Sequence, residues 1–284
     1  MALLRRIDAH HHVWDLAVRD QEWTNDFPTI NRTFLFDELM PELRSNNMSG
    51  SVVVQTGNIV EETHELLDLA ERSPAVLGVV GWTDLTSASV TDDLAALKSR
   101  PGGEFLVGLR HIAQGDPDEE WFAREPIIRG FRELSRSHLT YDFLTRHQQI
   151  GGAIVAAQAV PEQRFVLDHF GKPPIAAGEI DSWAKRMREL AACENVAIKF
   201  SGLVTEGDPH HYEAEVFQPY VDVVLNTFGP ARMMFGSDWP VCQIVTTYGE
   251  VLALAEKLVG ELSPIERADI FGGTADRWYG LGAS

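Results

Sequence analysis

Short apolar runs recur along the chain with amphipathic segments between them, and many of the runs end in polar or ionisable residues. The runs that read as strands cover 6–10, 51–55, 77–82, 105–112, 139–143, 164–169, 195–200 and 233–236. Several are almost continuously apolar, as in Val52-Val53-Val54 and Phe165-Val166-Leu167, the pattern of a strand covered on both faces. The segments between them follow the helical period. Trp183, Met187 and Leu190 fall at i, i+4 and i+7, with Asp181 or Ser182 placed to cap the first turn, and Val251, Leu254, Ala255 and Leu258 form a second stripe. Ser263-Pro264-Ile265-Glu266 combines a capping box with proline at the first helical position. Strands alternating with helices predict a parallel α/β fold. Eight strands are the number that closes a (β/α)₈ TIM barrel. An open doubly wound sheet is the alternative, and the lack of a glycine-rich phosphate turn after the first strand counts against it.

Composition narrows this picture. The chain has 284 residues, 44% of them hydrophobic, and the residues 1–284 read as one barrel domain with no repeat, low-complexity tract or linker. No apolar stretch approaches the ~20 residues that span a bilayer. Met-Ala-Leu-Leu-Arg-Arg runs directly into Ile7 without an apolar signal core. Two cysteines, Cys193 and Cys242, imply no disulfide framework and fit a reducing, cytoplasmic setting. With 42 acidic against 24 basic residues the net charge is −18, a field that repels a phosphate backbone and argues against nucleic-acid partners.

The chemistry gathers where the strands end: His10 and His12, Gln55, Arg110 and His111, Tyr141 and Asp142, His169, and Asp238. In a barrel the carboxyl ends of the strands meet at one mouth. Along Ile7-Asp8-Ala9-His10-His11-His12 the side chains alternate, so His10 and His12 share one face, ~6.6 Å apart, and His11 faces the outer helices. Two such imidazoles can bind one metal or hold one substrate oxygen; a histidine-rich surface segment is the alternative. His169 and Asp238 each end an apolar strand, where either would equally serve as a satisfied core residue, but a carboxylate there needs partners. First and last strands are neighbours across the closure of a barrel, so the HxH and Asp238 belong together. Asp168, beside His169, is expected to point outward, and His210-His211 reads as loop surface.

Ile-Asp-Ala-His-x-His at the start and Gly-Ser-Asp at the end resemble the amidohydrolase superfamily. The resemblance extends to its lactonase branch, which includes L-fuconolactonase, L-rhamnonolactonase and 2-pyrone-4,6-dicarboxylate lactonase. It runs through Gly108-Leu109-Arg110-His111 with Gln114, Leu139-Thr140-Tyr141-Asp142, Val166 to Pro173, Lys199 to Leu203 with Thr205-Glu206, and Met234 to Cys242. Many superfamily members carry a metal-bridging lysine on strand four and a histidine on strand five. Here those places hold Arg110-His111 and Tyr141-Asp142, while Lys199 lies on the seventh strand. The resemblance therefore implies one divalent metal, zinc, held by His10, His12, His169 and Asp238, or no metal at all.

The expected reaction is hydrolysis of a small sugar-acid lactone, an activity of carbohydrate metabolism. Asp238 takes a proton from water and returns it to the leaving alkoxide. His10, His12 and His169 polarise the carbonyl, directly or through zinc. Trp14, Arg110, His111, Tyr141, Glu206 and Trp239 are the expected substrate-binding residues; Arg110 and His111 are adjacent, so at most one of them faces the site along a strand. A metal-dependent decarboxylase or amide hydrolase on the same scaffold and a non-catalytic ligand-binding barrel are the other readings.

Overall fold

The computed structural model describes residues 5–282; residues 1–4, part of the stretch read for a signal segment, lie outside the described residues. Eight strands form one parallel sheet in sequential order: β1 (Ile7–His11), β2 (Gly50–Val54), β3 (Val76–Gly81), β4 (Leu106–Ile112), β5 (Thr140–Leu144), β6 (Phe165–Leu167), β7 (Val196–Phe200) and β8 (Met233–Phe235). Each lies within two residues of its expected range. The sheet curls until its last strand meets its first. Asp238 N–H donates to the His10 carbonyl at 2.8 Å and His12 N–H to the Trp239 carbonyl at 2.7 Å. This is the (β/α)₈ barrel, and the closing bonds are made by the backbone of His10, His12, Asp238 and Trp239, all expected site residues.

Helices α1 (Phe36–Ser45), α2 (Val60–Arg72), α3 (Val90–Ser99), α4 (Glu125–Arg136), α5 (Ile150–Ala159) and α6 (Asp181–Ala191) follow the first six strands in turn. The short α7 (Leu203–Glu206) and then α8 (Ala214–Thr227) follow β7, and α9 (Tyr248–Leu258) follows β8. Finally α10 (Pro264–Ala268) and α11 (Thr274–Tyr279) complete the chain. Ser263 caps α10 as its sequence requires, accepting from Glu266 N–H at 3.3 Å. Asp181 does not cap α6; it is that helix's first residue, after Ile180, and stabilises the first turn by charge alone. Among the described residues no helix is long and apolar enough to cross a membrane.

Strand parity divides the side chains. Tyr141, Phe143 and Phe165 face outward and pack edge-on or stacked with Phe122 and Phe131 at centroid distances of 4.6–6.4 Å. Alternate positions of β5, β6 and β7 put Asp142, Val166, Ala197 and Lys199 inside the barrel. At the bottom of the barrel, α11 contributes Tyr279, whose hydroxyl donates to Asp142 at 2.8 Å, and Trp278, whose indole N–H reaches the Phe165 carbonyl at 3.0 Å.

Trp183 of α6 links the outer layer to the mouth. It is fully buried against Tyr220 of α8, and its indole N–H donates to the Phe170 carbonyl at 2.7 Å. Trp183→Phe keeps most of the packing but leaves that carbonyl unpaired. The expected cost is about 1–3 kcal/mol, read as a lower urea midpoint with an unchanged slope. A midpoint equal to that of the parent protein would remove this bond from the account.

Candidate active site

His10, His12, His169 and Asp238 converge at the carboxyl ends of the strands. His10 Nε2 lies 3.1 Å from His12 Nε2. Asp238 Oδ1 stands 3.7 Å from His10 Nε2, 3.5 Å from His12 Nε2 and 4.0 Å from His169 Nε2. Each imidazole is oriented from behind. His12 donates from Nδ1 to the Val54 carbonyl at 2.7 Å, so its Nε2 faces the site as a lone pair. Ser201 Oγ lies 2.8 Å from His169 Nδ1. Behind His10 sit Lys199 Nζ, 3.0 Å from Nδ1, and Asp168 Oδ1 at 3.4 Å. Two glycines make room: a Cβ on Gly236 would fall 2.5 Å from His10 Cβ, and one on Gly202, at φ +67°, would fall 2.6 Å from His169 Nδ1.

Beneath this cluster lies a buried ionic network. Lys199 Nζ is 2.5 Å from Asp142 Oδ2 and 3.1 Å from Asp168 Oδ1, and Arg110 Nη1 is 3.0 Å from Asp168 Oδ2. Arg110 also bonds the Gln55 carbonyl, while Gln55 Nε2 returns a bond to the Arg110 carbonyl at 3.0 Å. Burial alone would raise the Asp168 carboxyl, yet Lys199, His10 and Arg110 outweigh it and hold it well below the usual range. Burial pushes Asp142 up against the opposing pull of Lys199. In the mouth, burial lowers His169 to about 4 and, with the charge of Lys199, His10 well below its ordinary value. Burial opposes the ionisation of Asp238, but His169, His12 and Lys172 together hold its carboxyl below the ordinary value. At neutral pH His10 and His169 are thus uncharged and Asp238 is ionised.

After β6 the chain enters an unusual turn. His169, Phe170, Gly171 and Lys172 all have left-handed backbone, at φ +52°, +54°, +65° and +51°. Left-handed conformation costs a side-chain-bearing residue roughly 1–2 kcal/mol, and such strain persists where the surroundings over-determine it. Trp183 holds the Phe170 carbonyl, and Lys172 N–H closes the turn on the His169 carbonyl at 2.8 Å. Because parity is broken here, Asp168 and His169 both serve the interior. The expected outward Asp168 is corrected: it is fully buried among Lys199, Arg110 and His10.

A cavity of about 410 Å³ opens above the cluster, with His12, His169, Asp238, Arg110, Lys172 and Glu206 among its polar lining. Trp23, Phe27, Ile112, Leu144, Val241 and Ile244 form its apolar wall. Arg110 faces the site, its Nη1 3.4 Å from His10 Nε2, and Glu206 lines the rim, 3.2 Å from Lys172 Nζ. Four expected substrate-binding residues lie elsewhere. Trp14 packs edge-on against Trp23 and Phe34 and lines a different cleft, of about 570 Å³, against α1 and α2. His111 points away from the barrel interior, stacks on Trp121 at 4.4 Å and accepts from the Trp82 indole at 3.0 Å. Tyr141 is in the outer aromatic layer, and Trp239 is buried edge-on to Phe34. Conversely, the sequence reading passed over Trp23, Phe27 and Lys172. Trp23 and Phe27 sit on the long β1–α1 connection, where no periodicity indicates direction. His11 packs on Phe36, and His210 and His211 are exposed.

The donor set fits a single divalent ion. His10, His12 and Asp238 offer ligand atoms within 4.8 Å of one another, and bonds of about 2.0–2.2 Å in a tetrahedral zinc site put ligands ~3.3–3.5 Å apart. The buried His12 lone pair at Nε2, 3.1 Å from His10 Nε2, is a donor atom turned to the position a metal would take.

The amidohydrolase family profile matches residues 7–281. The chain belongs to the amidohydrolase family. Within it, an L-fucono-1,5-lactonase of Burkholderia ambifaria is 38% identical over 280 residues, covering 96% of this chain and 95% of that one. An L-fucono-1,5-lactonase of Burkholderia multivorans is 34% identical over 97% of this chain and 96% of its own. An amidohydrolase structure from Burkholderia multivorans with bound zinc superposes with a TM-score of 0.91 at 34% identity, covering 98% of this chain and all of that one.

The ionic network makes a stability prediction. Lys199→Met fills similar space but leaves Asp142 and Asp168 without their shared cation, an expected loss of about 3–5 kcal/mol. Chemical denaturation measures it; an unchanged unfolding free energy would mean the network is not what holds the barrel centre.

Proposed function

We propose that this protein is a lactonase that hydrolyses a neutral sugar-acid lactone to its hydroxy acid. The observation that carries the reading is the full-length likeness to two L-fucono-1,5-lactonases in a chain whose barrel mouth gathers three imidazoles around one ionised carboxylate. An L-rhamnono-gamma-lactonase of Scheffersomyces stipitis, 26% identical over 56% of this chain, points to the same kind of substrate. The cavity supports it. The apolar wall of Ile112, Leu144, Val241 and Ile244 suits the methyl end of a deoxy sugar. Trp23, an aromatic side chain of the cavity wall, stacks on the sugar ring in place of the expected contact from Trp14.

In this mechanism Asp238 accepts a proton from water as the water oxygen bonds to the lactone carbonyl carbon. Charge moves to the carbonyl oxygen, where N–H donation from the uncharged His10 and His169 stabilises it; His12, whose Nε2 lone pair faces the site, would contribute there as a metal ligand. The bond from that carbon to the ring oxygen then breaks, and Asp238 hands its proton to the departing alkoxide. The product carries one new carboxyl group and one new hydroxyl. Zinc, if held by His10, His12, His169 and Asp238, would supply Lewis acidity at the same carbonyl. Cys193 and Cys242, both buried thiols, support a reducing, cytoplasmic setting.

Asp238→Asn tests the assignment. It preserves shape and removes the base, so proton release from L-fucono-1,5-lactone should fall by at least about 10²-fold with unchanged circular dichroism. Residual turnover within tenfold of the parent would exclude Asp238 as the base. Zinc added to metal-stripped protein should raise Tm by mass action, and His12→Asn should abolish that shift. An equal shift in both proteins would place the ion elsewhere.

A further inference from the structure

A second cavity, of about 500 Å³, adjoins the catalytic one and shares Ile112, Gln114, Lys172 and Glu206 with it. Arg146, His147 and Gln148 line its far side. We infer that this vestibule is a carboxylate subsite that receives the acid end of the ring-opened product. The inference rests on the lactonase reading and names what that site does after the chemistry.

Charge is the first argument. The protein as a whole carries −18, yet this cavity presents Arg146 and Lys172 beside His147. Among the described residues its one lining carboxylate is Glu206, already matched to Lys172 at 3.2 Å. Arg146 is exposed and forms no ion pair among the described residues; its backbone N–H is fixed by Gln149 Oε1 at 2.9 Å. A second argument is conformational. Lys172 stands at the partition between the cavities because it ends the left-handed turn, at φ +51°, a placement that an ordinary strand end would not give.

The reaction supplies the need. A neutral lactone enters, and hydrolysis leaves a carboxylate beside the regenerated Asp238 carboxylate. Two like charges in contact repel strongly in a partly desolvated mouth. Arg110 is spent on Asp168, so Lys172 and then Arg146 are the cations open to the new anion. Lys172 exchanges Glu206 for the product, and the acid end moves into the vestibule, away from Asp238.

Calorimetric titration of L-fuconate into the full chain tests this, with the neutral alditol L-fucitol as control. Arg146→Glu should weaken L-fuconate about tenfold, equivalent to 1.4 kcal/mol, Arg146→Lys should restore most of it, and L-fucitol should not distinguish the three proteins. Equal L-fuconate affinity in the parent and Arg146→Glu proteins, or fucitol binding as tight as fuconate, overturns the subsite. A lactone with a pendant carboxylate preferred over the neutral lactone in kcat/KM, with that preference lost in Arg146→Glu, would give the cavity to a substrate anion and overturn the product assignment. Proton release from L-fucono-1,5-lactone by the same parent preparation reports separately on the lactonase reading.

Discussion

The ammonium group of Lys199, held inside the barrel between two carboxylates, is the interaction on which the site depends. Asp142 comes from β5, Asp168 follows β6 and Lys199 lies on β7, so the cluster ties three neighbouring strands at their centre. Arg110 extends it to β4 and, through Gln55, to the end of β2. His10 of β1 rests on top. Desolvating these charges is costly, and only mutual pairing offsets it. That requirement fixes the inward side of six strands and leaves one polar platform on which the imidazoles stand. A core of aliphatic side chains would fill the same volume without orienting His10.

From that platform the mouth is assembled by backbone as much as by side chains. The closing hydrogen bonds between β1 and the segment after β8 set Asp238 opposite His10 and His12. Gly236 lets the two segments approach, and the left-handed turn at 169–172 brings His169 in from the other side. Groups that share no helix and no single strand are therefore held together by backbone hydrogen bonds and by the turn that follows β6. The apolar wall, by contrast, comes from the connections, including Trp23 and Phe27 on the β1–α1 loop. Substrate preference can change there without disturbing the charge cluster.

Much of this was legible in the sequence, because buried parallel strands tend to write themselves as apolar runs, as Val52-Val53-Val54 and Phe165-Val166-Leu167 do, and even the polar β1 lies within its expected range. His10, His12, His169 and Asp238 stood out because polar groups that end such runs need partners. Direction was harder. Where a strand continues, parity decides between neighbours: Arg110 faces in and His111 out, Asp142 in and Tyr141 out. The sequence does not say which member of each pair takes the inner face; the demand of Lys199 for carboxylates does. Where the strand stops, parity fails. β6 ends at Leu167, and the left-handed turn lets Asp168 and His169 both serve the interior, which alternation forbids. Trp14 was expected in the mouth for a similar reason: Trp14 and Trp23 both lie past the strand, and the packing of Trp14 on Phe34 rather than any local pattern separates core from mouth. Lys172 carried no signal, since a lysine after a glycine ordinarily reads as solvated surface.

The central claim is that this barrel opens a neutral lactone ring. Initial rates of proton release with L-fucono-1,5-lactone, measured beside amide and aromatic carboxylate substrates, address it most directly. A kcat/KM of at least about 10⁴ M⁻¹ s⁻¹ is expected for the lactone, with no detectable turnover of the others. Lactone hydrolysis no faster than the spontaneous rate, with efficient amide cleavage or carbon dioxide release instead, would contradict it.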